Sequence, residues 1–232
     1  CNQNQLQNQN SQYNITGNLY NYGKISANND LTINAEDSIY NGLVDGSNAA
    51  ISNNGILNLT AKNYILNRGY IISDNELTLK TTSQNTNNPI LTTFNQNSNL
   101  QTYINSLLTI NNVNSKGIFN YGQIASKNNT TLESNSSIIN EGNSLVFSNK
   151  DININAKDYF INYAGALGTG IWANKDINIE TNNTLANLGG NIESYSGNID
   201  IDTNNLINSR ISIPEQITIL NYDYKVDGKY WH

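Results

Sequence analysis

The chain is poor in the residues that most often carry chemistry. Its 232 residues hold one cysteine, at position 1, and one histidine, at the terminal position 232. With no second cysteine there is no disulfide framework. A lone terminal histidine leaves no Ser-His-Asp or Cys-His arrangement and no histidine-based zinc site. Lysine and arginine total 12 against 18 acidic residues, for a net charge of −6. The cations are scattered, so the basic face of a nucleic-acid footprint is missing. No apolar run approaches the roughly 18 residues of a membrane-spanning helix. The polar opening Cys1-Asn2-Gln3 is not expected to be a signal peptide, and no phosphate loop or dinucleotide fingerprint occurs. Cys1 reads either as the lipidated first residue of a mature lipoprotein or as an ordinary residue where a larger protein was cut; the second reading is preferred.

What the chain does have is asparagine and repetition. Asparagine makes up about a fifth of the residues, far above ordinary usage. An apolar residue, Asn-x-Gly and another apolar residue recur, as in Leu19-Tyr20-Asn21-Tyr22-Gly23-Lys24-Ile25 and Ile118-Phe119-Asn120-Tyr121-Gly122-Gln123-Ile124. Variants lie around Asn67, Asn140 and Asn187. A second phrase follows most of them: Asp30-Leu31-Thr32-Ile33-Asn34-Ala35, Asp151-Ile152-Asn153-Ile154-Asn155-Ala156 and Asp176-Ile177-Asn178-Ile179-Glu180-Thr181. Both phrases advance by about 20 to 25 residues, the spacing of one rung in a repeat array.

Within each rung the apolar residues alternate, as in Leu57/Leu59, Ile152/Ile154 and Ile199/Ile201. Period two marks strands, and helical repeats would need a period of 3.6. One set of short strands per rung predicts an all-β, right-handed, single-stranded parallel β-helix. The expected layout is a polar lead-in over 1–16, the coil over 17–213, and a separate strand or hairpin element over 214–232. Asp227-Gly228 is the hairpin signal of that last element, which is read as cut short. The rhythm breaks at 81–116, a span long enough for two long rungs or for one rung with an excursion. Phe94 and Tyr103 are the anchoring side chains this insertion would offer a ligand.

Asparagine stacks on itself in parallel in-register strands. Asn21, Asn67, Asn120, Asn140, Asn162 and Asn187 are therefore expected to point inward as a structural ladder. Their neighbours should then point out, yet Tyr20, Tyr40, Leu66, Phe119, Ile139, Ile161, Ala186 and Ile207 are nearly all apolar. Either they form an apolar stripe outside the coil, with Tyr22, Tyr121 and Tyr163 beside it, or alternation fails at the corner and they wedge into the core. A stripe would mark a partner surface or a contact with the insertion. Tyr20, Tyr22, Phe119, Tyr121 and Tyr163 join Phe94 and Tyr103 as binding candidates.

No residue is assigned a catalytic or metal role, and no cofactor is expected. Asp30, Asp151 and Asp176 recur at one rung position, which suits turn chemistry. Asp200 and Asp202 form a possible acidic pair without a basic companion. Sequons such as Asn14-Ile15-Thr16 are expected by chance at this asparagine content.

The alternation of the two phrases resembles the filamentous-haemagglutinin repeat of two-partner-secreted exoproteins from Gram-negative bacteria, over roughly 17–83 and 117–213. The family often places a polar residue before the Asn, where this chain is apolar. The resemblance implies an internal segment of a secreted, surface-displayed, non-enzymatic fibre, either adhesin shaft or receptor-binding region, as in large adhesins and contact-dependent growth-inhibition effectors. It implies a target-cell outer-membrane protein or surface glycan as partner and an outer-membrane transporter during secretion. The expected state is monomeric. The alternative is a β-helical polysaccharide lyase or hydrolase. A groove with two or more charged residues on one face favours the enzyme, and a flat Asn/Thr/Ser face favours the adhesin.

Overall fold

In a computed structural model, described over residues 10–84, 116–164 and 170–209 and the strand pair Lys225–Val226 and Lys229–Tyr230, the chain is a right-handed parallel β-helix of about 7 turns. Each rung contributes strands to three faces. The first face stacks strands beginning at Ser11, Leu31, Leu57, Leu77, Thr130, Ile152, Ile177 and Ile199. The second holds Leu19–Asn21, Ile39–Asn41, Tyr64–Asn67, Gly117–Asn120, Ser137–Gly142 and Tyr159–Ala164. The third runs from Lys24–Ala27 through Tyr70–Ser73 and Gln123–Ser126 to Asn191–Ser194. In the last two described rungs one long strand, Ile177–Leu188 or Ile199–Ser209, serves both the first and second faces.

Alternation decides what is inside. In Leu57–Ala61 the first, third and fifth residues are buried and the others half-buried. Leu57, Leu59, Ile65, Ile71, Ile118, Ile124, Ile152 and Phe160 form one continuous core along the axis. The coil already includes Ser11–Ile15, inside the stretch expected as a lead-in, because this strand pairs in full register with Leu31–Ala35. The sequence hid this strand because only Tyr13 and Ile15 carry its inward apolar signal. The insertion question also resolves. Leu77–Thr81 pairs directly with Thr130–Ser134, and Gly117–Asn120 directly with Tyr64–Asn67. One rung is therefore shared across the break, its first-face strand before residue 84 and its second-face strand after residue 116. The possible return strand at Leu107–Ile110 lies outside the described residues. Lys225–Val226 pairs antiparallel with Lys229–Tyr230, on either side of Asp227-Gly228 in sequence.

The asparagines form a single hydrogen-bonded column at the corner between the second and third faces. Each Nδ2 donates to the Oδ1 of the next: Asn21 to Asn41, Asn41 to Asn67, Asn67 to Asn120 and Asn120 to Asn140, all at 2.8 Å. Asn140 to Asn162, Asn162 to Asn187 and Asn187 to Asn208 continue it at 2.9 to 3.0 Å. The second N–H of Asn67 reaches Gln123 O at 3.1 Å, and its Oδ1 also accepts from Gly69 N at 3.3 Å. Both protons are thus donated and both lone pairs used, which is what burial of an amide requires. The glycine of the phrase has its own reason. A Cβ at Gly122 would lie 2.1 Å from Gly69 O, and one at Gly69 would lie 2.1 Å from Ala49 O.

The recurrent aspartates hold the opposite corner. Asp30 Oδ1 accepts from Ile56 N at 2.8 Å, Asp151 Oδ1 from Asp176 N at 3.1 Å and Asp176 Oδ1 from Asn198 N at 2.8 Å. Each carboxylate bonds backbone one rung on. Next to it runs a second inward polar row: Ser73 Oγ donates toward Gly55 O and Glu76 O, and Ser126 Oγ toward Asn128 O.

Replacing Asn67 by Ala removes one hydrogen bond each from the Asn41 amide, Gly69 N–H, Asn120 Oδ1 and Gln123 O, at about 1–3 kcal/mol for each group that is left unsatisfied and that water cannot reach. We expect Asn67→Ala to lower unfolding stability by about 3 kcal/mol or more. Asn208→Ala, at the exposed end of the column, should cost about 1 kcal/mol or less. Equal losses in urea titrations of the two variants would refute the ladder as a cooperative column.

Candidate functional site

In-register parallel pairing places equivalent residues of successive rungs about 4.8 Å apart. On the second face it lines up Tyr20, Tyr40, Leu66, Phe119, Ile139, Ile161, Ala186 and Ile207 as one outward row. Alternation holds through the corner. Phe119, Ile139, Ile161, Ala186 and Ile207 belong to a second apolar cluster, with Tyr159 and Leu188, distinct from the coil interior. They do not wedge into the core.

The two ends of the row differ. Phe119 is 6% exposed, whereas Tyr20 is 55% exposed and Tyr22 beside it 59%. The tyrosine end stacks on itself: the rings of Tyr20 and Tyr40 are 4.9 Å apart and 9° from parallel. Tyr64 meets Tyr40 edge-on at 5.9 Å, and Tyr22 lies 6.3 Å from Tyr20. Burial, then the neighbouring Tyr64, pushes the Tyr40 hydroxyl up to about 12.

The residue after each ladder asparagine lies at the corner. Tyr22, Arg68, Tyr121, Glu141 and Tyr163 occupy it in five rungs. Tyr121 and Tyr163 pack half-buried against the second cluster. Around Tyr121 the corner opens into a cleft of about 360 Å³, lined by Asp45, Arg68, Tyr70, Tyr121, Gln123 and Glu141. The Arg68 guanidinium sits 5.4 Å above the Tyr121 ring, within reach of a cation–π contact. Arg68 Nη1 donates to Leu43 O at 3.3 Å. Its Nε is 2.9 Å from Asp45 Oδ1, close enough to pair by charge but off the line of the N–H bond, so that buried N–H makes no hydrogen bond. Burial, then the Glu141 carboxylate, pushes the Tyr121 hydroxyl up to about 12.

A third surface belongs to the first face. Its early rungs show a flat outward row of Thr32, Asn34, Asn58, Thr60 and Thr78. Its later rungs form a groove of about 450 Å³ holding Glu133, Glu180, Asp200 and Asp202. Glu133 is paired with Lys80 at 2.8 Å and Glu180 with Lys157 at 3.5 Å. No group of three or more histidines, cysteines or carboxylates placed to hold a metal ion occurs among the described residues.

Of the sequence-predicted binding residues, Tyr20 and Tyr22 stand in the exposed patch and Tyr121 in the cleft. Phe119 is covered, Tyr163 is half-buried, and Phe94 and Tyr103 lie outside the described residues. Arg68, Asp45 and Glu141 were missed. Arg68 and Glu141 fill the variable position of the Asn-x-Gly phrase, a signal that reading the phrase as purely structural passes over.

In the unfolded chain Tyr40 and Tyr121 ionise at their ordinary value of 10.0 and in the fold near 12. The folded state therefore holds protons that the unfolded state gives up between those values. The stability linked to them is full below pH 10 and is lost as pH rises toward 12. We expect denaturant midpoints to fall across that window, and Tyr121→Phe to flatten part of the fall. An unchanged slope in the variant would refute the assignment. Comparison with models of known families, with curated proteins and with solved structures finds no match to this chain.

Proposed function

We propose that the chain is a non-enzymatic recognition segment of a surface-displayed fibre, facing a target cell through the outer side of its second face and adjoining corner. The observation that carries this reading is the exposed tyrosine patch. A solenoid can place any polar residue outward without cost to its core, yet here Tyr20 and Tyr22 stand more than half exposed. Exposed clustered aromatics are the usual material of binding surfaces. The coil supplies reach and stiffness, and the side chains of one face supply selectivity.

The resemblance to filamentous-haemagglutinin repeats supplies the setting. In this reading the segment belongs to a secreted exoprotein of a Gram-negative bacterium, delivered by an outer-membrane transporter. Its partner is an outer-membrane protein or glycan of the target cell. The Asn/Thr rows of the first face suit a passive shaft surface.

One observation favours a second reading, a polysaccharide-active enzyme. Asp200 and Asp202 alternate on the last described rung and line the acidic groove, at about 6.6 Å along the strand, a separation seen for paired glycosidase carboxylates. Against it, the other two carboxylates of that groove are ion-paired. Reducing ends released from polysaccharide by the wild type, and not by Asp200→Asn, would favour this reading.

The recognition reading predicts saturable binding of the labelled chain to intact Gram-negative cells. A Tyr20→Ser/Tyr22→Ser variant with unchanged thermal stability should bind about tenfold more weakly, the loss of one or two aromatic contacts. Absence of saturable binding across a broad panel of strains would make the segment a passive shaft.

A further inference from the structure

We infer that the corner cleft is a binding site for a neutral sugar, one or two pyranose rings of a surface glycan. The inference deepens the recognition reading and rests on it for its biological setting, while its chemistry comes from the cleft alone.

Four observations converge. The cleft of about 360 Å³ lies at the small end of ligand pockets, which run from about 300 to 1,000 Å³. That suits a small ring system rather than a protein surface. Its aromatic wall, Tyr121, is held in place by the Arg68 guanidinium on its face, and its hydroxyl hydrogen-bonds the Glu141 carboxylate. Arg68 Nε–H is buried beside the Asp45 carboxylate, 2.9 Å away but off its line, so an acceptor better placed would complete a hydrogen bond that such groups normally have. The remaining lining is donor and acceptor by turns: Asp45 and Glu141 accept only, Arg68 donates only, and Gln123 does both.

A hydroxyl is the group that fits between such partners, because it donates to a carboxylate and accepts from a guanidinium at once. Adjacent ring hydroxyls repeat that demand at close spacing, and the C–H groups of a pyranose pack on the parts of Tyr70 and Tyr121 that the Arg68 guanidinium leaves uncovered. Charge then selects among sugars. One guanidinium and two carboxylates leave the cleft with an excess negative charge, so uronates, sialates and phosphorylated sugars meet like charge in a partly desolvated site. Neutral hexoses and N-acetylhexosamines do not.

The cleft lies between two rigid features. Gly69 and Gly122 pack backbone on backbone at its base, too close for a Cβ, and Asn67 and Asn120 are fixed behind Arg68 and Tyr121 by the amide column. Recognition groups held on a stiff scaffold lose little freedom on binding.

The test is titration of the full chain with methyl glycosides of glucose, galactose, mannose and N-acetylglucosamine. The methyl glycosides of glucuronic and galacturonic acid serve as charged counterparts, and binding is read by calorimetry and ligand-observed NMR. At least one neutral glycoside should bind, and its uronate counterpart should bind about tenfold more weakly or not at all. Arg68→Gln and Tyr121→Leu should each lower affinity by about tenfold, with a chain changed at the exposed Tyr195, which lines no part of the cleft, as an unaffected control (Tyr195→Ser). Glu141→Gln should narrow the gap between neutral sugar and uronate, a readout that general loss of structure would not produce. Binding of the uronates in preference to neutral sugars would overturn the inference, as would binding that survives both Arg68→Gln and Tyr121→Leu. So would the absence of any glycoside binding at millimolar concentration. The last result alongside cell binding that resists periodate oxidation of cell glycans would leave the recognition reading standing with a protein partner. Glycoside binding without cell binding would keep the cleft and remove that reading.

Discussion

Every feature of this molecule depends on one spacing, the separation of about 4.8 Å between parallel strands in register. At that distance an amide donates to the same amide one rung away with ordinary geometry. A column of seven such bonds, from Asn21 to Asn208, runs the described length of the coil. Each member is satisfied only if its neighbours stay in register. A slip by one residue would turn the asparagines outward and the row of Tyr20 and Phe119 inward. The amides therefore contribute more than their individual bond energies, because they penalise every alternative stacking. The chain meets this condition with rungs of unequal length. The column advances by 20, 26, 53, 20, 22, 25 and 21 residues. The differences are absorbed at the turns, and the longest interval holds the whole insertion. What a rung may add is free, provided that it returns to the same corner.

The same spacing that orders the interior acts on the exterior, with different results for different side chains. Tyrosines at one rung position stack, as Tyr20 and Tyr40 do, and so spend ring faces on each other. Lys80 and Glu133 meet as an ion pair. Aliphatic residues merge into a strip, and Phe119, Ile139 and Ile161 are covered as thoroughly as a core. The chain thus carries a second apolar cluster outside its coil interior, built on an apolar residue repeated at one outward position.

The architecture was legible in the sequence because its determinants are local and repeated. Period-two alternation gave the strands, the rung interval gave the solenoid, and the Asn-x-Gly phrase gave the ladder. Asn41 was left out of the ladder because Asn41-Gly42 lacks the intervening residue, although its amide bonds Asn21 and Asn67 like any other member. The strand at Ser11–Ile15 was hidden by polar composition. The cleft was less legible, for a physical reason. Arg68, Tyr121 and Glu141 are separated in the chain by up to 73 positions (141 − 68) and come together only because three rungs stack. Asp45 reaches them from a turn of irregular length. No local pattern records such a meeting.

The division of labour between inward and outward positions explains why recognition gathers at the corner rather than on a flat face. On a flat face each outward side chain has a neighbour about 4.8 Å above and below it, and like side chains satisfy one another, as the tyrosines and asparagines do. At the corner the chain turns, the glycines bring backbones into contact, and the residue after the ladder Asn points away from the stack. That residue contributes nothing to the ladder, so its identity is free: Tyr22, Arg68, Tyr121, Glu141 and Tyr163 differ in charge and size from one rung to the next. Unlike neighbours leave polar groups only partly satisfied, as the buried Arg68 Nε shows. A repeated structure is thereby given one line of unrepeated chemistry, backed by its most rigid element, and that line is where a ligand can be told from its relatives.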